Sequence, residues 1–365
     1  MKKIITLALV ASALITANNK SLFAQESEYF RMGEIDPYVS AYMEPFAKAM
    51  AVSMSGGWTH TAKVHSTLGF DITFSASIVT VPGSDKTFNT NSINMPGYTF
   101  TPAGTDAPTI SADDDISPPN IRKEFNNALI PDFSFEAFKG LGISTGGIAA
   151  IQAGIGLPKG TELIVRFIPD MSSSVNRAIP DNVDFGLEKT GMWGFGVKHD
   201  IKQWIPVIAK VPFLQISGLF TYSKFYSGFS GADLRFDPDR FGMPSSLPST
   251  TWDNQKLNIG MSSFTGTLLV GANIPIFQPY IGLGFNSSKF KGGFEGNFPI
   301  IEFSTAHPNG EVNTSEADPL TIEAKATNFN FQAGARLKLG FFVLNYQYTI
   351  QKYSLHTFGF AFTLR

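Results

Sequence analysis

The sequence predicts an all-β fold, a closed antiparallel barrel that crosses a bacterial outer membrane. Three observations predict it. Segments of about ten residues alternate apolar with small or polar side chains, the length a tilted spanning strand needs. In the last of them Phe358, Phe360, Phe362 and Leu364 fall on one face and Thr357, Gly359, Ala361 and Thr363 on the other, because a strand points successive side chains to opposite faces. The connections between segments alternate short and long, and the chain opens like an export signal.

Residues 1–25 supply that signal. Lys2 and Lys3 precede an apolar stretch at 4–15, and a cleavage zone follows at Leu22-Phe23-Ala24-Gln25, so the mature chain starts near Glu26. The small-residue rule is met only loosely there. The competing reading is an uncleaved anchor, against which the apolar run is short. With no cysteine, neither a disulfide nor a lipid anchor on Cys is available. Losing the leader removes three lysines and no acid, leaving 25 basic against 30 acidic groups, a net charge of −5. No basic run points to nucleic acid. The 34 Phe and 34 Gly against 16% charged residues suit a sheet facing hydrocarbon.

Residues 26–64 form an N-terminal helical plug or rim segment. The helix is expected at 36–54, with Asp36 as N-cap, Pro37 at the first helical position, Pro45 as a kink and Gly56-Gly57 as the stop. Tyr38, Tyr42, Phe46 and Met50 recur every four residues along it. Such a helix either plugs the lumen or docks below the rim; the alternative is an amphipathic segment on the inner leaflet surface.

Residues 65–365 form the barrel with long extracellular loops. Its first strand is expected at 68–80, with Leu68, Phe70, Ile72, Phe74, Ala76 and Ile78 facing out and Asp71, Thr73, Ser75 and Ser77 facing in. Further strands follow at 149–157, 161–168, 192–199, 213–226, 257–274, 279–285, 328–338 and 342–350, and the closing one at 356–365. That makes ten; a hidden pair within 83–146, for instance around 133–144, would raise the count to 12–14. Short gaps at 158–160, 200–210, 275–278 and 338–340 belong to the periplasm. Long ones at 83–146, 169–190, 227–254 and 286–326 belong outside, with the gap at 351–355 the one short connection on that side, which places both termini in the periplasm.

The inward faces carry a polar ladder of Asp71, Glu162, Arg166, Arg336, Gln332 and Asn345. A barrel this narrow is filled by its own side chains, so Asp71 or Glu162 is expected to pair with Arg166 or Arg336 as a structural device rather than a filter.

No catalytic centre, cofactor site or metal site is predicted. His199 and Asp200 are adjacent on a strand and face opposite ways. His60 and His65 lie near Thr59, Thr61 and Ser66, but no Gly-x-Ser-x-Gly elbow supports a nucleophile. His307 and His356 have no clustered partners, and zinc spacing is absent. Asp113-Asp114-Asp115 and Asp237-Pro238-Asp239 lack the Gly and distal Glu of a calcium loop and read as solvated acids. Gly140-Leu141-Gly142 and Gly292-Gly293 lack the ending of a phosphate loop.

Gly57-Trp58 with Ala62 and His65, Leu68-Gly69-Phe70-Asp71, the run from Gly156 to Leu163, and the run from Gly196 to Pro206 together resemble a family of bacterial outer-membrane β-barrels of unknown function. More distantly the chain resembles the FadL-like group that includes PorV-type barrels. The resemblance implies a barrel with an N-terminal helical segment. FadL-like relatives move hydrophobic molecules through a lateral gap, and PorV-like ones serve as attachment or shuttle partners in secretion; the FadL hatch motif has no counterpart here. The expected function is therefore non-catalytic. It is passage or binding of a small or hydrophobic solute, or alternatively a scaffold docked through its loops or helix to another envelope protein. Outer-membrane lipid is the surrounding partner.

Overall fold

Alternation of lipid-facing and lumen-facing side chains turns ten segments of this chain into one closed wall. The computed structural model describes residues 27–170, 172–177 and 186–364; the leader and its cleavage zone lie outside them. The strands are β1 (Phe70–Thr80), β2 (Thr145–Leu157), β3 (Thr161–Ile168), β4 (Gly191–Asp200), β5 (Leu214–Ser230), β6 (Lys256–Ala272), β7 (Phe277–Glu295), β8 (Leu320–Leu339), β9 (Phe342–Ile350) and β10 (Leu355–Leu364). Each pairs antiparallel with its sequence neighbours, and β10 closes on β1 with Leu364 opposite Phe70 and Leu355 opposite Val79. Closure leaves no barrel edge unpaired.

The expected facing holds. On β1, Phe70, Ile72 and Ile78 are exposed while Asp71, Thr73, Ser75 and Ser77 are buried. Trp193, Phe195, Phe220, Leu283, Phe329 and Phe358 continue the apolar exterior. Leu68 is not part of β1. It takes a left-handed turn at φ 62°, and its N–H donates to Gly156 O.

The segment 83–146 adds no strand to the wall. Thr87–Asn89 pairs with Asp106–Pro108, and Tyr98–Thr101, Asn120–Lys123 and Phe133–Glu136 form a small sheet above the barrel. The segment 286–326, expected as a loop, is largely strand. There β7 and β8 rise together through Phe294 opposite Leu320, and Asn297–Phe303 with Glu311–Ala317 form a further hairpin. The physical reason is an inversion of facing. Below this level apolar side chains point out; above it Lys289, Lys291 and Glu323 point out while Phe290, Phe294, Ile322 and Ala324 are buried inside. The lumen is apolar there because a helix fills it.

That helix is α1 (Asp36–Ser53). It packs within the long-loop half of the barrel, chiefly against β8, β7 and β2, as a plug rather than a rim or leaflet helix. Tyr38, Val39, Tyr42, Ala47, Ala49, Ala51 and Val52 are buried, and a helix apolar nearly all round belongs in an interior. Tyr38 and Tyr42 both meet Phe138, Tyr42 Oη donates to Lys139 O at 2.9 Å, and Phe46 and Met50 pack on the same core. The two charges inside the helix beyond its first turn, Glu44 and Lys48, pair with each other at 2.7 Å. Asp36 does not cap the helix; it is the first helical residue, and its carboxylate accepts the Thr321 N–H at 3.1 Å.

The start of the described chain lies at the long-loop end, not beside the C-terminus. Glu28–Phe30 pairs with Asn297–Phe303, and Tyr98 Oη donates to Glu34 Oε2 at 2.6 Å beside Lys123, which also binds Glu34. The alternation pattern fixes strand faces but says nothing of the direction in which the segment before β1 runs.

Candidate functional site: a threaded lumen beneath an apolar cavity

Residues 54–69 carry the chain from α1 down the whole lumen to β1. Wall contacts track the descent: Gly56 lies against Ser77 and Thr357, Gly57 against Ser75, and Ser66 O beside Gly156. Glycine is required at the top of the thread. A Cβ on Gly56 would sit 2.5 Å from Ser77 Oγ, and Gly57 has φ +73°, a conformation L side chains avoid.

Trp58 locks the thread. Its Nε1 donates to Met54 O at 3.1 Å, and its ring fits against Gly194 and Gly196 of β4. The Arg166 guanidinium lies 3.9 Å from the ring centroid and donates to Gly56 O at 2.8 Å and to Gln152 Oε1 at 3.0 Å. Gln152 Nε2 in turn donates to Trp58 O. Below, His60 Nε2 is 3.3 Å and His65 Nε2 3.5 Å from the Asp71 carboxylate. Glu162 accepts the His65 N–H and pairs with Lys198, both at 3.0 Å. Ser217 Oγ donates to Ala62 O, and Tyr280 Oη to Thr59 O and Gln347 Oε1. Side chains from β1, β2, β3, β4, β5, β7 and β9 thus converge on one strand of peptide.

The structure places the expected ladder residues on inward faces, with pairings other than those expected. Asp71 meets two histidines and Glu162 meets Lys198, while Arg166 binds backbone carbonyls, Gln152 and an indole instead of a carboxylate. Arg336 and Gln332 are buried in the lumen; Gln332 bonds Asn330 and Thr267, and Asn345 is half-buried opposite Gly359. The difference arises because the thread, not the wall, offers the acceptors. Trp58 was legible as a motif residue but not as the partner of Arg166.

Above the thread, α1, the loops and the upper wall enclose a cavity of about 150 Å³. Val39 and Met43 of α1, Phe135 and Phe138 of the first long loop, Phe294 of β7 and Ile322 of β8 line it. The lining is almost wholly apolar, and the hydroxyl of Tyr42, which also lines it, donates to Lys139 O, so the cavity offers little to hold water by hydrogen bonds.

The model of a family of unknown function, DUF6588, matches residues 1–364. The chain belongs to this family. No curated protein matches it. Among solved structures, the DUF6588 chain is similar to the translocator domain of autotransporter NalP from Neisseria meningitidis, at 10% identity and TM-score 0.30, over 92% of this chain and 100% of that one. It is also similar to the toluene transporter TbuX of Ralstonia pickettii, at 7% identity and TM-score 0.26, over 90% and 99%. A third is the transport unit of autotransporter AIDA-I from Escherichia coli, at 9% and 0.25, over 92% and 98%.

The other candidate residues of the DUF6588 chain are dispersed. His199 Nδ1 is 2.9 Å from Thr161 Oγ1, and its Nε2 accepts from Trp204 Nε1 at 2.9 Å. His307 pairs with Glu311 and His356 with the Tyr346 hydroxyl. Asp113 pairs with Lys86 at 2.8 Å, and the Asp237 carboxylate accepts the Asp239 N–H.

Proposed function

We propose that this chain is an outer-membrane barrel that binds a small apolar solute in the cavity beneath its long loops, as the first step of passage gated by α1. The cavity is the observation that carries the reading. A dry apolar cavity of ~150 Å³ accommodates a one-ring hydrocarbon such as benzene. With the long loops outside, the cavity lies on the exterior side of the lumen, and α1, whose Val39 and Met43 line it, stands between the two. No step in this reading is catalytic. The thread below is held at both ends and along its length, so α1 is the element whose displacement would connect cavity and lumen.

Fluorobenzene titrated into the protein in nanodiscs and followed by ¹⁹F line broadening tests this. Saturable broadening beyond that of empty nanodiscs, lost when Val39→Trp fills the cavity, is the expected result. Unsaturable partitioning that is the same in wild type, variant and empty discs would sink the reading.

A further inference from the structure

The outward faces of β5 to β8 change character abruptly toward the long-loop end. On β5 the series runs Phe220, Tyr222, Lys224; on β7 it runs Phe285, Ser287, Lys289; on β8 it runs Phe329, Thr327, Lys325. Each strand passes from an exposed aromatic ring through a hydroxyl to an exposed lysine in four residues. The register places the lysines in one row, with Lys224 opposite Ser262, Ser262 opposite Lys289, and Lys289 opposite Lys325. Below them Phe220, Phe264, Phe285 and Phe329 are exposed. The same level on β1, β2, β9 and β10 carries no outward lysine.

Like charges directly opposite in a ladder are destabilising. The chain avoids that higher up, where Lys291 pairs with Glu323 one level above and Lys256 with Glu295 three levels above, each at 3.4 Å. Lys224, Lys289 and Lys325 have no ion pair among the described residues. A row of unmatched cations on the rim of a hydrocarbon-facing aromatic surface is complementary to an amphiphile with an anionic head and acyl chains. A free anion would use the lysines but leave the rings below without a role.

We propose that the outer faces of β5–β8 bind an anionic, phosphate-bearing lipid of the leaflet at the long-loop end. Its phosphates sit on Lys224, Lys289 and Lys325, and its chains lie along Phe220, Phe264, Phe285 and Phe329. The lysine stems extend along the apolar surface and keep their ammonium groups at the headgroup level. This site is on the outside of the wall and is independent of what occupies the cavity.

The test uses the full chain in neutral detergent, with lipid retention read by native mass spectrometry. The probes are a bisphosphorylated glucosamine lipid, its dephosphorylated form, and inorganic phosphate as competitor. Wild type should retain the bisphosphorylated lipid, and K224Q/K289Q/K325Q should bind it on the order of a hundred-fold more weakly, the sum for three lysines at an anionic surface. The dephosphorylated lipid should bind wild type as weakly, and Lys210→Gln on the short-turn side should change nothing. Heat-dependent gel mobility reports that each variant is folded, and Lys289→Gln alone gives a milder second reading. Equal retention by wild type and the triple variant overturns the proposal. So does full displacement by millimolar inorganic phosphate, which would make the row a free-anion site.

Discussion

The Arg166 guanidinium and the Trp58 ring stack at 3.9 Å inside the barrel, one from the wall and one from the thread. Both are buried, so the contact joins wall to thread without water between them. Truncating a packed Trp costs about 3–5 kcal/mol. Trp58→Ala should therefore lower the stability of the folded barrel by that amount in chemical unfolding. Trp58→Phe keeps most of the packing but loses the bond to Met54 O, and should cost about 1 kcal/mol more than zero but far less than Ala. Both can be read from unfolding midpoints in detergent, where equal effects would show that the indole is not the lock.

Close approach of thread to wall makes glycine positions discriminating. A Cβ on Gly194 would lie 2.8 Å from Tyr222 O and 2.9 Å from Trp58 Cη2, whereas one on Gly260 would meet only Lys291 O at 3.8 Å. Gly194→Ala should destabilise by about 1–3 kcal/mol, as overpacking does. Gly260→Ala should stay within about 0.5 kcal/mol of wild type. Parallel unfolding curves of the two variants decide this.

How much of this was legible in the sequence follows from what alternation encodes. Period-two patterning assigned the faces of all ten strands, because lipid on one side and a polar lumen on the other impose opposite chemistries. It missed the upper parts of β7 and β8, where Lys289, Phe290 and Lys291 alternate in the opposite sense. There the apolar neighbour is α1 inside, not lipid outside. The inward facing of Asp71, Glu162 and Arg166 was readable from alternation; their partners were not, since His60, His65 and Trp58 come from irregular backbone without a period. For the same reason the placement of Glu28–Phe30 at the long-loop end could not be read from spacing.

The hairpin between β9 and β10 fastens the first long loop through one carboxylate. Asp85 accepts from Tyr353 Oη at 2.6 Å and Lys352 Nζ at 2.9 Å, outside the spanning strands. Partial burial pushes this carboxyl up, but the hydrogen bonds from Tyr353, Lys352 and Ser84 outweigh it and hold it below its ordinary value of 3.8. A folded-state value below the unfolded one means the native loop binds fewer protons, so the stabilisation is complete above pH 3.8 and fades as pH falls through the folded value. Limited proteolysis of the 83–146 segment by an acid-active protease should therefore rise below about pH 4. Asp85→Asn should be cut readily at every pH, and a wild-type pH profile matching the variant's would refute the role.

A cross-link can test whether α1 must move. The chain has no cysteine, so an introduced pair is unambiguous. A Cβ on Gly146 of β2 would lie 3.1 Å from Met50 N and 3.2 Å from Met50 Sδ, so the two positions meet at the helix–wall contact, and a disulfide between them needs the helix to give by a few tenths of an ångström. In Met50→Cys/Gly146→Cys, oxidation should fix the helix to the wall. If α1 gates passage, uptake of a one-ring hydrocarbon into proteoliposomes should fall to the lipid-only rate when oxidised and recover on reduction. Fluorobenzene binding in the cavity should survive oxidation, because Val39 and Met43 line the cavity and the cross-link lies two turns further along the helix. Undiminished uptake in the oxidised protein would show that solute bypasses α1, leaving the cavity as a binding site without a gate.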